Sequence, residues 1–274
     1  MMEPVLSINP ADASRVIHPI MNAAISEPPV KRPLPATYVA RLATDAATLR
    51  ATQALRFAVF NLEMREGLAS AYDQGLDADE FDTVFDHLVV EETATGRIVG
   101  AYRLQTGENA QATRGYYSER EFDFTPFAPL RSQIIELGRA CVHRDHRNRL
   151  VLGLLWRGIA AYARAQNSRY LIGCSSLTSR DPAVGATAFQ ELRKQYLAPP
   201  AWQTRPHPAY ACALDKLAES PVKVPRLLAA YLSLGARICG PPALDQEFGS
   251  IDFLTLLDFQ ALPPAAVEHF WGVS

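Results

Sequence analysis

The sequence predicts a mixed α/β domain, and three observations carry that reading. Ile134–Val142 (IIELGRACV) and Tyr170–Leu177 (YLIGCSSL) are apolar runs of strand length. Between them, Leu150–Gln166 is an apolar stretch long enough for about four helical turns, so the three segments form a βαβ-like unit. Upstream, Leu88–Glu92 and Ile98–Leu104 flank the turn signal TATG and predict a hairpin. No internal repeat or second-domain boundary appears. One large domain is expected over residues 36–262, after a loosely ordered proline-rich leader (1–35) and before a short tail (263–274).

Composition removes several function classes. With 48% hydrophobic and 20% charged residues, the chain of 274 residues can bury a sizeable core. A net charge of −2 leaves no nucleic-acid footprint, so attraction to an acidic partner must be local. Cys141, Cys174, Cys212 and Cys239 are widely spaced, with no zinc-like pairing, and are expected to be reduced thiols in a cytoplasmic protein. No metal or redox cofactor is implied. The leader has no basic segment ahead of an apolar one and is not a secretory signal. No apolar run of about 18 residues exists, so association with a membrane is expected to be peripheral at most, at its inner face.

The remaining elements follow in order. Thr37–Ala43 alternates as a first strand. Thr44 or Asp45 can cap a helix reaching about Glu66, with Leu49, Ala54, Phe57, Ala58 and Leu62 on its apolar face. Arg56 and Phe60, four apart, share one side of it. Asp77–Phe85 is an acidic link, readable as a solvated loop. Thr106–Arg131 is a long connection whose Tyr116, Tyr117, Phe122, Phe124 and Phe127 could line a binding tunnel or form the loop's own core. In the helix 150–166, Gly153 and Gly158 should permit close approach to the sheet. Ala186–Gln195 and Val224–Leu234 read as helices, and Ala236–Cys239 and Ile251–Phe259 as strands.

Glu136 and Arg139 lie inside the strand 134–142, where burial costs several kcal/mol unless each charge is paired or used. A buried ion pair that only fixes the core is one reading. Chemistry is the other, and it faces a problem of parity: an offset of three sends the two side chains to opposite faces of a regular strand. A bulge would bring them together, and Gly138 is the residue expected to carry it.

ELGRACV, followed by a basic turn, LLWRGIAAY and YLIGCSSL, resembles the branch of the GNAT superfamily that acylates amino acids. Within it the match is to the ornithine-lipid, or hemolysin-like, N-acyltransferases, and the acyl-homoserine-lactone synthases are similar. The resemblance runs across Arg56–Phe259 and includes LRxxVF, YSEREFDF and the GARICG…DxxFxSxDFL ending. It implies the GNAT fold: a central twisted mixed sheet with flanking helices and a splayed, bulged central strand whose free N–H groups suit a thioester oxyanion. It also implies that Arg56, Phe60, Asp82, Asp86 and Arg103 shape the substrate site.

The activity expected is transfer of a long acyl chain, 3-hydroxylated chains included, to the α-amine of an amino acid, with ornithine as the family's acceptor. Glu136 would be the base, directly or through water. Arg139 or Arg103 would hold the acceptor carboxylate in a guanidinium fork. GNAT enzymes that use coenzyme A place a glycine-rich loop at residues 143–149, whereas HRDHRNR has no glycine. Arg144, Arg147 and Arg149 suit instead an acyl carrier protein presenting its acyl-phosphopantetheine, with acyl-coenzyme A the poorer donor. Two alternatives are an acyl-homoserine-lactone synthase, against which stands Gly67-Leu68 where that family has tryptophan, and a non-catalytic module binding acyl chains or the carrier protein.

Overall fold

A computed structural model describes residues 37–271; the leader lies outside the described residues. One sheet runs through the domain. Its strands are β1 (Tyr38–Leu42), β2 (Asp86–Glu92), β3 (Arg97–Thr106), β4 (Ile134–Val142), β5 (Tyr170–Leu177), β6 (Arg237–Ile238), β7 (Ala243–Asp245) and β8 (Ser250–Asp258). They lie in the order β1-β2-β3-β4-β5-β8-β6, with β7 also pairing β8. Among the described strands only β4 and β5 pair in parallel, and the helix of the βαβ-like unit joins them. The short β7 escapes a sequence reading because three residues carry no readable alternation.

Two helices cover opposite faces of this sheet. On one face α1 (Ala46–Phe57) packs Leu55 against Val89, Ile98, Ala101 and Cys141. On the other, α3 (Arg149–Ala165, after the short α2, Gly107–Ala112) packs Val151, Leu155 and Ile159 against Leu88, Val90, Val99 and Leu104. Alternate residues of β2 feed the two cores, as strand geometry requires. Gly158 lets α3 come close: a Cβ there would sit 2.7 Å from a Leu88 methyl. Gly153 does not share that role, since a Cβ would meet only the Arg157 guanidinium, at 3.5 Å. Leu150 and Leu152, at the start of α3, are exposed. Helices α4 (Pro182–Tyr196) and α5 (Arg226–Ser233) close a third cluster with Ile251 and Phe253 of β8. Residues expected as a tail form α6 (Pro264–Trp271), with Val267 packed on the α3 core.

Asp45 caps α1, accepting the Thr48 N–H at 2.7 Å. The helix then widens into π-helical turns over Ala58–Met64 and stops where Arg65 takes a left-handed backbone (φ 59). Its buried side is Thr48, Thr52, Leu55, Arg56, Val59 and Phe60, whereas Ala54 is exposed and Leu62 is 59% exposed. The apolar face read from sequence was therefore rotated. Counting only apolar residues as inward missed a helix that faces buried charges and turns an arginine and two threonines inside.

The long connection before β4 has its own packing. Tyr116, Phe122, Phe124 and Phe127 are buried against Ile134, Tyr170 and Leu254, so these rings form a core and line no tunnel. Tyr117 differs and faces the cavity described below. All four cysteines are free. Among the described residues no helix is long and apolar enough to cross a membrane.

Candidate active site

Strand β4 carries the irregularity that builds the site. Opposite β3, Ala101 faces Cys141 and Arg103 faces Gly138, which leaves Tyr102 against both Arg139 and Ala140. This is a bulge of two residues against one. The residue that takes the left-handed backbone is Arg139 (φ 49), not Gly138 as expected. A side chain in that region costs about 1–3 kcal/mol and persists only where its surroundings hold it. Here Arg139 Nε and Nη2 lie 3.4 Å and 3.2 Å from Asp77 and Asp79, and the guanidinium covers the Phe248 ring at 4.5 Å. The bulge resolves the parity problem, and Glu136 and Arg139 line one cavity of about 480 Å³.

Beyond Glu136 the ladder between β4 and β5 stops, although β5 stays paired with β8 as far as Leu177. The strands still touch at Gly173, where a Cβ would meet the Leu137 carbonyl at 2.3 Å. A second cavity of about 310 Å³ opens at this split and shares Leu137 and Cys174 with the first. Its walls include Leu171, Tyr231, Ala236 and Leu257.

Glu136 is 1% exposed and is held by the turn at Tyr117–Arg120. Its Oε1 accepts from the Ser118 N–H at 2.7 Å and hydroxyl at 2.6 Å, and its Oε2 from the Tyr117 N–H at 2.7 Å. Burial pushes its carboxyl up, the Ser118 and Tyr117 bonds pull it back, and the balance is about 7. A carboxyl poised there exchanges protons readily at neutral pH.

The acidic link, for which a solvated loop was one reading, is half of a buried charge network. Arg56 donates from Nε to Asp77 at 2.9 Å and from two nitrogens to Asp82 at 2.8 Å and 2.7 Å. Arg103, also buried and in the middle of the sheet, binds Asp79 at 2.6 Å and Asp82 at 3.2 Å. With Arg139, three guanidinium groups match three carboxylates. Burial alone would raise the Asp82 carboxyl, but the hydrogen bond and charge of Arg56, then the charge of Arg103, hold it far below the usual range. Two donors remain without acceptors, Arg103 Nε and Arg139 Nε, and both residues line the cavity.

Not every expected residue reaches this place. Phe60 stands behind the cavity wall, edge-on to Phe248 at 5.8 Å between centroids. Asp86 is exposed, accepts from the Tyr162 hydroxyl at 2.6 Å and borders a separate surface depression. In the basic turn, Arg147 forms a two-pronged pair with Glu63 at 2.6 Å and 2.8 Å, while Arg144 and Arg149 are exposed. Arg144 borders a groove with Ala58, Val59, Leu62 and Glu63 of the π-helical turns. Glu121, Asp245 and Asp252, which sequence reasoning did not select, line the cavity too. Their signal was present in YSEREFDF and in the C-terminal motif, but only the fold brings those segments together.

Residues 55–157 match the acetyltransferase (GNAT) domain family. The chain is 34% identical to an L-ornithine N(alpha)-acyltransferase of Rhodobacter capsulatus, covering 86% of this chain and 95% of that one. It is 33% identical to another of that name from Brucella abortus, covering 84% and 87%. Among solved structures, FeeM, an N-acyl amino acid synthase from uncultured soil microbes, shares the fold with a TM-score of 0.51 and 9% identity, over 82% of this chain and 92% of that one. A GNAT domain and relatives at this identity over most of both chains make the protein an acyltransferase: it belongs to the GNAT acyltransferase family that contains the L-ornithine N(alpha)-acyltransferases.

Proposed function

We propose that this chain transfers a long fatty acyl group, 3-hydroxylated chains included, from the phosphopantetheine thioester of acyl carrier protein to the α-amine of ornithine. The product is an N-acyl ornithine of the lyso-lipid type. Glu136 accepts the proton that the amine loses, directly or through one water. The amine nitrogen then attacks the thioester carbonyl, a C–N bond forms, the C–S bond breaks, and the departing thiolate takes up the second proton that the nitrogen sheds. The observation that carries this reading is the buried Glu136, poised near neutrality, in one cavity with Arg139.

Other features support the same assignment. The relatives named for ornithine acylation match over most of this chain. The unsatisfied Arg103 Nε and Arg139 Nε give the acceptor carboxylate donors in the cavity, although both guanidinium groups already hold aspartates. The second, mainly apolar cavity at the β4–β5 split is where the acyl chain would lie. Exposed Arg144 and Arg149 are the positions for meeting an acidic carrier protein, and Arg147 contributes less because Glu63 neutralises it.

The test is a screen of amino-acid acceptors with long-chain acyl carrier protein and, separately, acyl-coenzyme A, read by product mass. Linear N-acyl ornithine made best from the carrier protein is expected. A lactone product would reassign the chain to signal synthesis. Carrier-protein binding without turnover on any acceptor would make it a binding module.

A further inference from the structure

Glu121, Asp245 and Asp252 come from the loop before β4, from β7 and from β8, and one carboxylate oxygen of each lies within 4.8 Å of the others. All three are buried. Asp77, Asp79 and Asp82 each have an arginine, but none of the ion pairs among the described residues involves this trio. Carboxyl groups buried so closely are costly to ionise together. Burial first, then the neighbouring Asp252 and Asp245, raise the Glu121 carboxyl well above its usual range, and Asp252 shifts the same way.

Two unpartnered polar atoms on residues that line the cavity point to the polarity of its ligand. Asp252 Oδ2 accepts from the Ser250 hydroxyl at 3.1 Å, but its Oδ1 is buried without any donor. Arg103, 1% exposed and lining the same cavity, has an Nε without any acceptor. An orphan acceptor and an orphan donor across one cavity match a molecule with a cation at one end and a carboxylate at the other. With Arg56, Arg103 and Arg139 already balanced by Asp77, Asp79 and Asp82, the acids left over favour a ligand of net positive charge.

We infer that Glu121, Asp245 and Asp252 are the subsite for the side-chain ammonium of a diamino-acid acceptor, and that they set the preference for such an acceptor over neutral amino acids of the same length. The inference rests on the proposed acyl transfer. An ammonium brings three N–H donors, one for each carboxylate, and supplies the counter-charge that the trio lacks.

The test compares ornithine with 2-aminopentanoate, which has the same carbon chain but no terminal ammonium. Wild type should favour ornithine, and Asp252→Asn should lower the ratio of the two kcat/KM values by about 10-fold or more, chiefly through the KM for ornithine. Glu121→Gln is the second variant, should Asp252→Asn fail to fold. It should shift the ratio in the same direction. Folded variants that lose both substrates in equal proportion would overturn the subsite. Equal use of the two substrates by wild type would also overturn it while leaving acyl transfer intact, whereas no acylation of any amino acid would remove both. Ornithine binding that needs added Mg²⁺, Ca²⁺ or Zn²⁺ and is lost with a chelator would give the trio to a metal and overturn the inference.

Discussion

Replacing Glu136 by glutamine tests the proposed base, and the structure says how the variant should behave. The amide oxygen can still accept the Ser118 N–H and hydroxyl, but the amide nitrogen then faces the Tyr117 N–H, donor against donor, where 2.7 Å now separates that N–H from Oε2. Losing that bond and leaving a buried N–H unsatisfied should cost about 1–3 kcal/mol. That is enough to lower Tm and too little to unfold an ordinary domain. Turnover at neutral pH should fall by about 10²-fold or more, because an amide accepts no proton. The pH profile separates chemistry from damage. Wild-type kcat/KM should rise through about pH 7 as Glu136 ionises. The variant should lose that limb and keep only the titration of the substrate amine at higher pH. Ser118→Ala removes one bond that stabilises the carboxylate, so the wild-type limb should move upward by roughly one unit. A folded Glu136→Gln enzyme with near-wild-type turnover, or one whose limb at about 7 is intact, would remove Glu136 from the proton path.

Two further predictions concern the charge network and the donor face. Asp82→Asn should strip Arg56 and Arg103 of a shared partner and destabilise the fold by about 3–5 kcal/mol in denaturant titration, whereas Asp86→Asn, at an exposed position, should change stability little. The folded Asp82 carboxyl is depressed below its ordinary 3.8, so its stabilisation is complete above that pH and is lost on acidification towards the lower folded value; the mutant should show a flatter acid limb. Reversing Arg144 and Arg149 to glutamate should weaken use of acyl carrier protein, most strongly near 0.01 M salt, where the Debye length is about 30 Å. Rates with the carrier protein that do not respond to the reversals would take these residues out of donor recognition.

The chemistry proposed for this chain depends on one broken ladder. Continuous pairing of β4 with β5 would close the cavity, and a regular β4 would turn either Glu136 or Arg139 away from it. The bulge at Arg139 and the end of the ladder at Glu136 therefore serve the same site. The left-handed Arg139 is affordable because two aspartates and an aromatic face hold its side chain.

Sequence alone determined the features whose physics is local. The limits of β4 and β5 and the hairpin at residues 93–96 follow from apolar runs and turn chemistry, and the capping of α1 by Asp45 follows from a side chain reaching its own helix. The buried pair in β4 announced itself because charges inside an apolar strand need a reason. Tertiary structure decided what depends on distant partners. Asp77, Asp79 and Asp82 lie in an acidic link that local sequence leaves open between a solvated loop and a border of the site, until Arg56, Arg103 and Arg139 arrive from three other elements. The inward side of α1 was hidden for the same reason, since a buried arginine looks like a surface residue without its carboxylates. Gly138 was the expected bulge residue on backbone freedom alone, whereas side-chain anchoring gave the position to Arg139. Glu121 lies more than a hundred residues of chain from Asp245 and Asp252, and no local pattern marks the three as a group. Only the pairing of β7 with β8, and the loop before β4 folding over them, makes three ordinary acids into one buried cluster.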